Sequence, residues 1–177
     1  DSLNPGTFVI VDQYIDRTFN RKKSFFNEGI IAHVPMAEPT SIELMKSSKK
    51  ILDKLKIKNV LGGTYITMEG PQFSTKAESN LYRKWGCDVI GMTNMPEAKL
   101  AREAEIRYCS ISMVTDYDCW HPDHENVSMS MVIKTMNENT LNSKNFIKSY
   151  SSFYYEGIDF SLDKTNNILD NSIVTDR

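Results

Sequence analysis

Residues 113–124 read MVTDYDCWHPDH, and an apolar run over residues 106–114 leads into them with the β-branched, alternating pattern of a buried strand. The run ends at Asp116 and Asp118, two carboxylates two positions apart. In an open α/β sheet, ligands bind in the crevice beyond the carboxyl ends of the strands. Acids placed there can accept hydrogen bonds from an amino group, and a desolvated acid can also supply a proton. The segment therefore predicts a sheet strand that runs directly into a polar binding loop.

Two other interpretations of these acids stay open on composition alone. They can be solvated loop carboxylates that cap the next helix. Together with His121 and His124 they also form a set of oxygen and nitrogen donors of the kind that binds metals. The spacing argues against a metal, because His121 precedes Pro122 and no His-x-x-x-His pair or cysteine couple supports the set. We predict no metal site.

Composition narrows the class of protein. The 177 residues are 40% hydrophobic and 25% charged, as in a soluble globular domain. A net charge of −2 does not indicate a protein that binds nucleic acid, which would be expected to carry a strong positive charge. The basic cluster at residues 21–23 is predicted to be solvated surface. No apolar run reaches the roughly 18 residues that a membrane span requires. Three cysteines beside apolar runs predict reduced thiols and a cytoplasmic protein: Cys87, Cys109 and Cys119.

Strand patterns recur along the chain. Apolar runs predict buried strands over residues 7–12, 60–68 and 88–92. The second run is interrupted by the glycines at 62–63, where a bulge or a close backbone approach is expected. Residues 13–39 mix polar and apolar positions with two prolines and are predicted to be one long loop.

Helix signals separate these strands. Thr-x-x-Glu capping boxes at residues 40–43 and 75–78 predict two helix starts, and Gly86 is expected to end the second helix. Pro96 opens a third helix, and a fourth is predicted over residues 128–150. The alternation indicates an α/β sheet covered by helices. The apolar positions expected to face inward on the fourth helix are Met129, Val132, Ile133, Met136 and Ile147.

Three motifs occur in order: TMEGPQFST at 67–75, GMTNMPE at 91–97 and TDYDCW at 115–120. With these motifs, and with weaker likenesses at 12–18, 33–37 and 169–173, the chain resembles the purine nucleoside phosphorylase family. The likeness is greatest to members that act on 5′-methylthioadenosine. It implies a mixed sheet flanked by helices. It also implies a reaction in which phosphate attacks C1′ of 5′-methylthioadenosine and releases adenine and 5-methylthioribose 1-phosphate, with no cofactor.

The resemblance implies roles for residues at the base. Asp116 takes the position beside purine N7, which it can protonate or hydrogen-bond. Asp118 takes the position that accepts from the 6-amino group, so both acids are assigned to catalysis. Phe73 takes the position that stacks on the base. Without its flanking motif, Phe73 would be interpreted as a core aromatic.

Sugar and phosphate contacts follow from the second motif. The resemblance places Met92 against the ribose and makes Thr93 a phosphate ligand through its hydroxyl and backbone. Ile90 and Gly91 are assigned to the substrate site as well. Gly91 stands where adenosine-specific relatives often carry a larger polar residue. On residues alone, Met92 would be ordinary core.

The 5′ end of the nucleoside is assigned to two other segments. Met129, Val132 and Ile133 match an apolar pocket for the methylthio group, although by pattern alone all three are core positions. In the resembling enzymes, the loop that corresponds to the one around His33 crosses a subunit interface and closes a neighbour's site. We therefore expect a homotrimer in which His33 completes the adjacent site; a purely structural role for His33 is the alternative.

Part of the family's phosphate site has no counterpart here. Relatives carry a Gly-rich loop, an Arg-His-Gly segment and a Thr-Ala stretch, and none of these occurs in the sequence. We therefore expect residues 1–177 to be a single partial phosphorylase domain that lacks the N-terminal phosphate loop and is inactive alone.

Two competing functions remain. A phosphorylase for 6-oxopurine nucleosides needs a donor at O6, which two ionised carboxylates do not offer. A non-catalytic purine-binding module needs no phosphate loop. In each case the expected partners are small molecules, a nucleoside and phosphate for the enzyme, rather than nucleic acid or membrane.

Overall fold

The computed structural model describes residues 3–26, 29–120, 129–155, 157–161 and 163–175, with the side chains of 129–132 and 155 left aside. Strands and helices alternate, as predicted for an α/β domain. Within the described ranges, no helix has the length and apolar content needed to cross a membrane. The elements in chain order are β1 (Phe8–Ile10), β2 (Gln13–Arg17), α1 (Ile42–Lys54), β3 (Asn59–Leu61), β4 (Thr64–Met68), α2 (Lys76–Lys84), β5 (Val89–Gly91), α3 (Glu97–Glu103), β6 (Ile111–Met113), α4 (Met129–Tyr155) and a 3-10 turn (Leu169–Asn171).

The strands form two three-stranded sheets. The first has the order β3-β1-β6, with β1 parallel to β3 and antiparallel to β6; the second has the order β2-β4-β5 and is parallel throughout. The chain passes from the first sheet into the second twice, and the two passages lie side by side. At the second passage, Gly62 and Gly63 have φ of 88° and 149°, which favours glycine. Asp12 bridges the two passages, because its Oδ1 accepts from the Gly63 amide at 2.8 Å. The predicted interruption at these glycines is confirmed.

The core lies between the first sheet and α1. Phe8, Val9 and Ile10 are almost fully buried, as a continuous apolar run predicts for a strand covered on both faces. Met45 and Leu52 of α1 pack in the same cluster. Fully burying a side chain of this size contributes about 1.5–3 kcal/mol, so this contact is a main support of the fold.

Two boundary predictions were wrong. Residues 13–17, predicted as loop, form β2 and pair with β4 in parallel, with Gln13 opposite Thr64. The side chains of these residues show no strand pattern because their polarity is mixed. The segment forms a strand because β4 supplies backbone hydrogen bonds, which do not depend on the side chains. The strand predicted over 106–114 is only β6, and Ile106 is exposed. The strand is shorter than the apolar run because β6 is paired with β1 over only three residues, and the sequence of the run does not show how long that pairing is.

The two capping boxes had different outcomes. Thr75 Oγ1 accepts from the Glu78 amide at 3.2 Å, and Glu78 Oε2 accepts from the Thr75 amide at 2.7 Å, so the second box is confirmed. The first is wrong, because α1 is capped at Ser41 without a side-chain bond. Thr40 Oγ1 instead donates to the carbonyl of Asp12 at 2.9 Å, a partner distant in sequence.

The predicted inward face of α4 is also wrong where its side chains are described. Ile133, Met136 and Ile147 are all at least half exposed. Asn139 is buried and donates to the Val114 carbonyl at 3.1 Å, and Phe146 and Tyr150 are half-buried. Contact with α1 determines which face of α4 is covered, since Tyr150 Oη lies 2.9 Å from Ser47 Oγ of α1.

The basic cluster at 21–23 is not simple solvated surface. Lys23 Nζ lies 3.1 Å from Asp16 Oδ2, and Lys99 bonds to the same oxygen. The amide and hydroxyl of Thr18 donate to Asp16 Oδ1 at 2.9 and 2.6 Å. Burial opposes ionisation of Asp16, but the bonds from Lys99, Thr18 and Lys23 outweigh it and hold the pKa of Asp16 well below its ordinary value.

Asp16→Asn is expected to lower the free energy of unfolding at neutral pH and to weaken its dependence on pH in acid. A depressed carboxylate pKa stabilises the fold above the unfolded-state pKa of about 3.9, and that contribution is lost as pH falls below it. The difference between wild type and variant in urea unfolding should therefore shrink from pH 7 to pH 3. Asp170→Asn, at an exposed position, is the control. A difference that stays constant with pH would contradict the assignment.

Candidate functional site

A cleft of about 450 Å³ is lined by the end of β4, by the whole of β5 with the residues on either side of it, and by the end of β6 and the loop that follows. All three sequence motifs contribute to its lining, although they are distant along the chain. The predicted site residues that line it are Phe73, Ile90, Gly91, Met92, Asp116 and Asp118.

The two carboxylates have different surroundings. Asp118 Oδ2 accepts from the hydroxyl of Ser79 in α2, and its Oδ1 accepts from the Cys119 amide at 2.8 Å. Asp116 is exposed, and its Oδ2 accepts from the hydroxyl of Thr115 at 2.7 Å. One acid is thus anchored to a helix, whereas the bond that the described residues make to the other comes from its own loop.

A second contact joins α2 to the loop of residues 114–120, called the acid loop below because it carries Asp116 and Asp118. The guanidinium of Arg83 lies 3.6 Å from the centre of the Trp120 ring, within the range of a cation–π interaction. Both side chains line the cleft. Because α2 begins at a complete capping box, its position is well defined, and it holds the loop at both Asp118 and Trp120.

Two glycines at or beside the cleft leave no room for a side chain: Gly91 lines the cleft floor, and Gly70 lies three residues before Phe73. A Cβ on Gly91 would lie 1.8 Å from the hydroxyl oxygen of Tyr65, a buried residue of β4. A Cβ on Gly70 would lie 2.6 Å from the sulfur of Met92. The ring of Tyr65 and the thioether of Met92 therefore occupy the space that larger residues would fill.

Thr93 is exposed and lies just outside the cleft lining. Its Oγ1 is 3.2 Å from Tyr65 Oη, and its amide donates to the same oxygen at 3.4 Å. The Thr93 carbonyl accepts from Thr67 Oγ1 at 2.9 Å. The hydroxyl and amide that were predicted to bind phosphate are thus oriented by a buried tyrosine that the sequence analysis had not singled out.

Phe73 stands at the mouth of the cleft and is 88% exposed. The alternative of a core aromatic is wrong for this residue. An exposed ring beside two carboxylates is suited to stack on a flat, hydrogen-bonding ligand.

The other predicted residues whose side chains are described do not line this cleft. Ile133 is exposed and does not line it, and the side chains of Met129 and Val132 lie outside the described residues. His33 is exposed, and its amide donates to the Ser172 carbonyl at 2.8 Å. Its segment is thereby attached to the end of the chain rather than to the acid loop.

Arg21 is a site-supporting residue that sequence reasoning missed. Its guanidinium donates to Glu69 Oε1 at 3.2 Å and to the carbonyls of Met92, Met95 and Glu69 at 2.8, 2.6 and 2.9 Å. The backbone amides of Phe19 and Asn20 hold the pKa of Glu69 below its ordinary value. Arg21 thus joins the two loops that carry Phe73 and Met92. Its partners are 48 to 74 residues away, so no local pattern could have indicated this role.

Among the described residues, no group of three or more His, Cys, Asp and Glu side chains could hold a metal ion. His121 and His124, which entered the metal alternative, lie outside those residues.

The chain is similar in sequence to known proteins over most of its length. The chain is 54% identical over 175 residues to S-methyl-5′-thioadenosine phosphorylase of Rhodospirillum rubrum, which covers 99% of the chain and 60% of that protein. The corresponding enzyme of Koribacter versatilis is 54% identical over 144 residues, or 81% of the chain and 49% of that protein. The chain therefore spans between about half and 60% of the length of these relatives.

The fold of the chain is also similar to solved structures of methylthioadenosine phosphorylases. A methylthioadenosine phosphorylase from an antarctic soil metagenomic library superposes with a TM-score of 0.88 at 40% identity, over 98% of this chain and 61% of that one. The Schistosoma mansoni methylthioadenosine phosphorylase in complex with adenine has a TM-score of 0.88 at 26% identity, over 97% and 68%. The family model of the phosphorylase superfamily matches residues 1–152. With the three motifs gathered around one cleft, these matches show that the chain belongs to the phosphorylase superfamily.

Proposed function

We propose that the protein containing this chain cleaves 5′-methylthioadenosine with phosphate, giving adenine and 5-methylthioribose 1-phosphate. The observation that carries the proposal is the pair Asp116 and Asp118 in one cleft, with Phe73 at its mouth. An ionised carboxylate accepts hydrogen bonds and a protonated one can donate one, so this pair suits a base that presents both an amino group and an acceptor nitrogen. The names of the relatives above support the same substrate.

The proposed chemistry follows from the charges that develop during cleavage. As the bond to C1′ breaks, the ribose gains positive charge and the departing purine gains negative charge. Asp116 in its protonated form donates a hydrogen bond or its proton to N7, and this stabilises the purine more in the transition state than in the ground state. Asp118 accepts from the 6-amino group and Phe73 stacks on the ring. Met92 contacts the ribose, and Thr93 contributes its hydroxyl and amide to phosphate.

The 5′ pocket and the assembly belong to the same proposal. Met129 and Val132 contact the methylthio group, and His33 of a neighbouring subunit closes the site in a cytoplasmic homotrimer. Exposed apolar side chains near the His33 segment support burial against a partner; they are Phe25, Ile30 and Ile31. Sedimentation of an active species as a monomer would contradict the trimer.

Asp116→Asn is expected to shift base preference, because an amide cannot transfer a proton to N7 as a carboxylic acid can, but it can donate hydrogen bonds to N7 and to a 6-oxo group. A hydrogen bond to a charged group contributes about 1.5–3 kcal/mol. The ratio of kcat/KM for 5′-methylthioadenosine over 5′-methylthioinosine should therefore fall by roughly 10- to 100-fold. The measurement uses the longest open reading frame that contains this chain.

Two outcomes would redirect the proposal. An unchanged ratio would remove Asp116 from base recognition, and a wild-type preference for the 6-oxo substrate would favour the 6-oxopurine alternative. Adenine binding without turnover in phosphate would favour a non-catalytic purine-binding module. Asp159→Asn, at an exposed position outside the cleft, is the matched control and should leave the ratio unchanged.

A further inference from the structure

Ser79 is a buried polar residue whose position in α2 is closely defined. Its side chain is 1% exposed. Its amide donates to the Thr75 carbonyl at 2.9 Å, so it belongs to the first turn after the capping box. Its hydroxyl bonds to Asp118 Oδ2, and beside an ionised carboxylate the hydroxyl is the donor. The helix start therefore fixes the backbone position of Ser79, and the hydroxyl of Ser79 contacts the acid loop from that position.

Both oxygens of Asp118 are held, whereas Asp116 has more freedom. Ser79 and the Cys119 amide each donate to one oxygen of Asp118, which resists rotation of its carboxylate about χ2. A carboxylate accepts up to about four hydrogen bonds, so capacity remains for a ligand. The donor to Asp116 is the hydroxyl of the adjacent Thr115, on the same loop. The two acids thus differ in how firmly they are oriented.

We propose that Ser79 is a positioning residue that makes Asp118 the fixed acceptor for an exocyclic amino group, and that it thereby sets the preference for 6-aminopurines. The inference rests on the proposed function and deepens it. An acceptor that cannot turn away discriminates by geometry as well as by charge, because a 6-oxo group would place two acceptors together. Among the described residues, Asp116 is bonded only to Thr115 of the same loop, so its carboxylate can turn toward N7.

The loop does not depend on Ser79 alone. Arg83 packs on Trp120 from the next turn of α2 and holds the loop independently of the Asp118 carboxylate. Removing the Ser79 hydroxyl should therefore release one carboxylate rather than the whole loop. This makes the role of Ser79 testable apart from general stability.

The test compares adenine with purine, which lacks the 6-amino group, in equilibrium binding to wild type and Ser79→Ala. We expect adenine affinity to fall about tenfold and purine affinity to change less than twofold, since only adenine uses the oriented acceptor. Equal losses for both bases would assign Ser79 a merely structural role and overturn the inference. In an Asp118→Asn background, Ser79→Ala should no longer change the adenine-to-purine ratio.

Controls separate the possible failures. Asn80→Ala, at the next and exposed position of α2, should leave both affinities unchanged. If Ser79→Ala does not fold, Ser79→Cys keeps nearly the same volume with a weaker donor and should also lower the adenine-to-purine affinity ratio. A ratio kept at the wild-type value would overturn the inference.

If wild type binds adenine no better than purine, the proposed base recognition fails as well. If wild type prefers adenine and the Ser79 variants keep that preference, only the role of Ser79 fails.

Discussion

Gly91→Ala is expected to destabilise the domain and abolish binding at the cleft, although it adds a single methyl group. The added Cβ would lie 1.8 Å from the hydroxyl oxygen and 2.7 Å from the ring carbon Cζ of Tyr65. That ring is 4% exposed, and Tyr14 packs edge-on against it at 6.2 Å between ring centres. The ring cannot move aside without disturbing Tyr14 and Thr93. Overpacking of this kind typically costs about 1–3 kcal/mol. We expect a loss of that size in urea unfolding, together with loss of adenine binding.

Matched variants distinguish the clash from other effects of replacing a glycine. Gly86→Ala introduces strain at a φ of 79° but meets no atom within 4 Å, so it should lower stability and leave adenine affinity unchanged. Tyr65→Phe should not rescue Gly91→Ala, because the contact with Cζ remains. Tyr65→Val in the same background removes the ring and should recover part of the stability lost. Wild-type stability for Gly91→Ala would refute the packing described at the cleft floor.

Arg21→Ala is the second change with a large expected effect, and it acts on catalysis more than on the core. The guanidinium joins the loop at Glu69 to the loop from Met92 to Met95 through four hydrogen bonds. Losing them releases the segments that position Phe73 and Met92. Misplacement of reacting groups by about 1 Å can cost roughly 100-fold in rate. We expect kcat/KM for 5′-methylthioadenosine to fall by about that factor in the longest open reading frame containing this chain.

Arginine chemistry supplies a sharper version of this test. Arg21→Lys keeps the charge but not the planar fork that reaches three carbonyls and a carboxylate at once, so it should lose most of the same activity. Lys22→Ala, at the adjacent exposed position, should have no effect. Full activity in Arg21→Lys would mean that charge alone supports these loops. Full activity in Arg21→Ala would remove Arg21 from the site.

Local signals predicted the elements that depend on neighbours in sequence. The capping box of Thr75 and Glu78 and the glycine that follows α2 were readable because both act within a single turn. The buried run around Phe8 to Ile10 was equally clear. Predictions failed where a distant partner decided the outcome: β2 exists because β4 pairs with it, and α1 sets which face of α4 is buried.

The sequence by itself determined the family and several of the residues that line the cleft, because its three motifs carry those residues in a fixed order. Only the tertiary structure decided how each residue is held. Asp116 and Asp118 look equivalent in sequence, but Ser79 lies 39 residues before Asp118 and anchors only that acid. Gly91 is required because Tyr65 packs against it from a neighbouring strand. Arg21, which composition placed at the surface, belongs to the site because its partners are distant in sequence and adjacent in space.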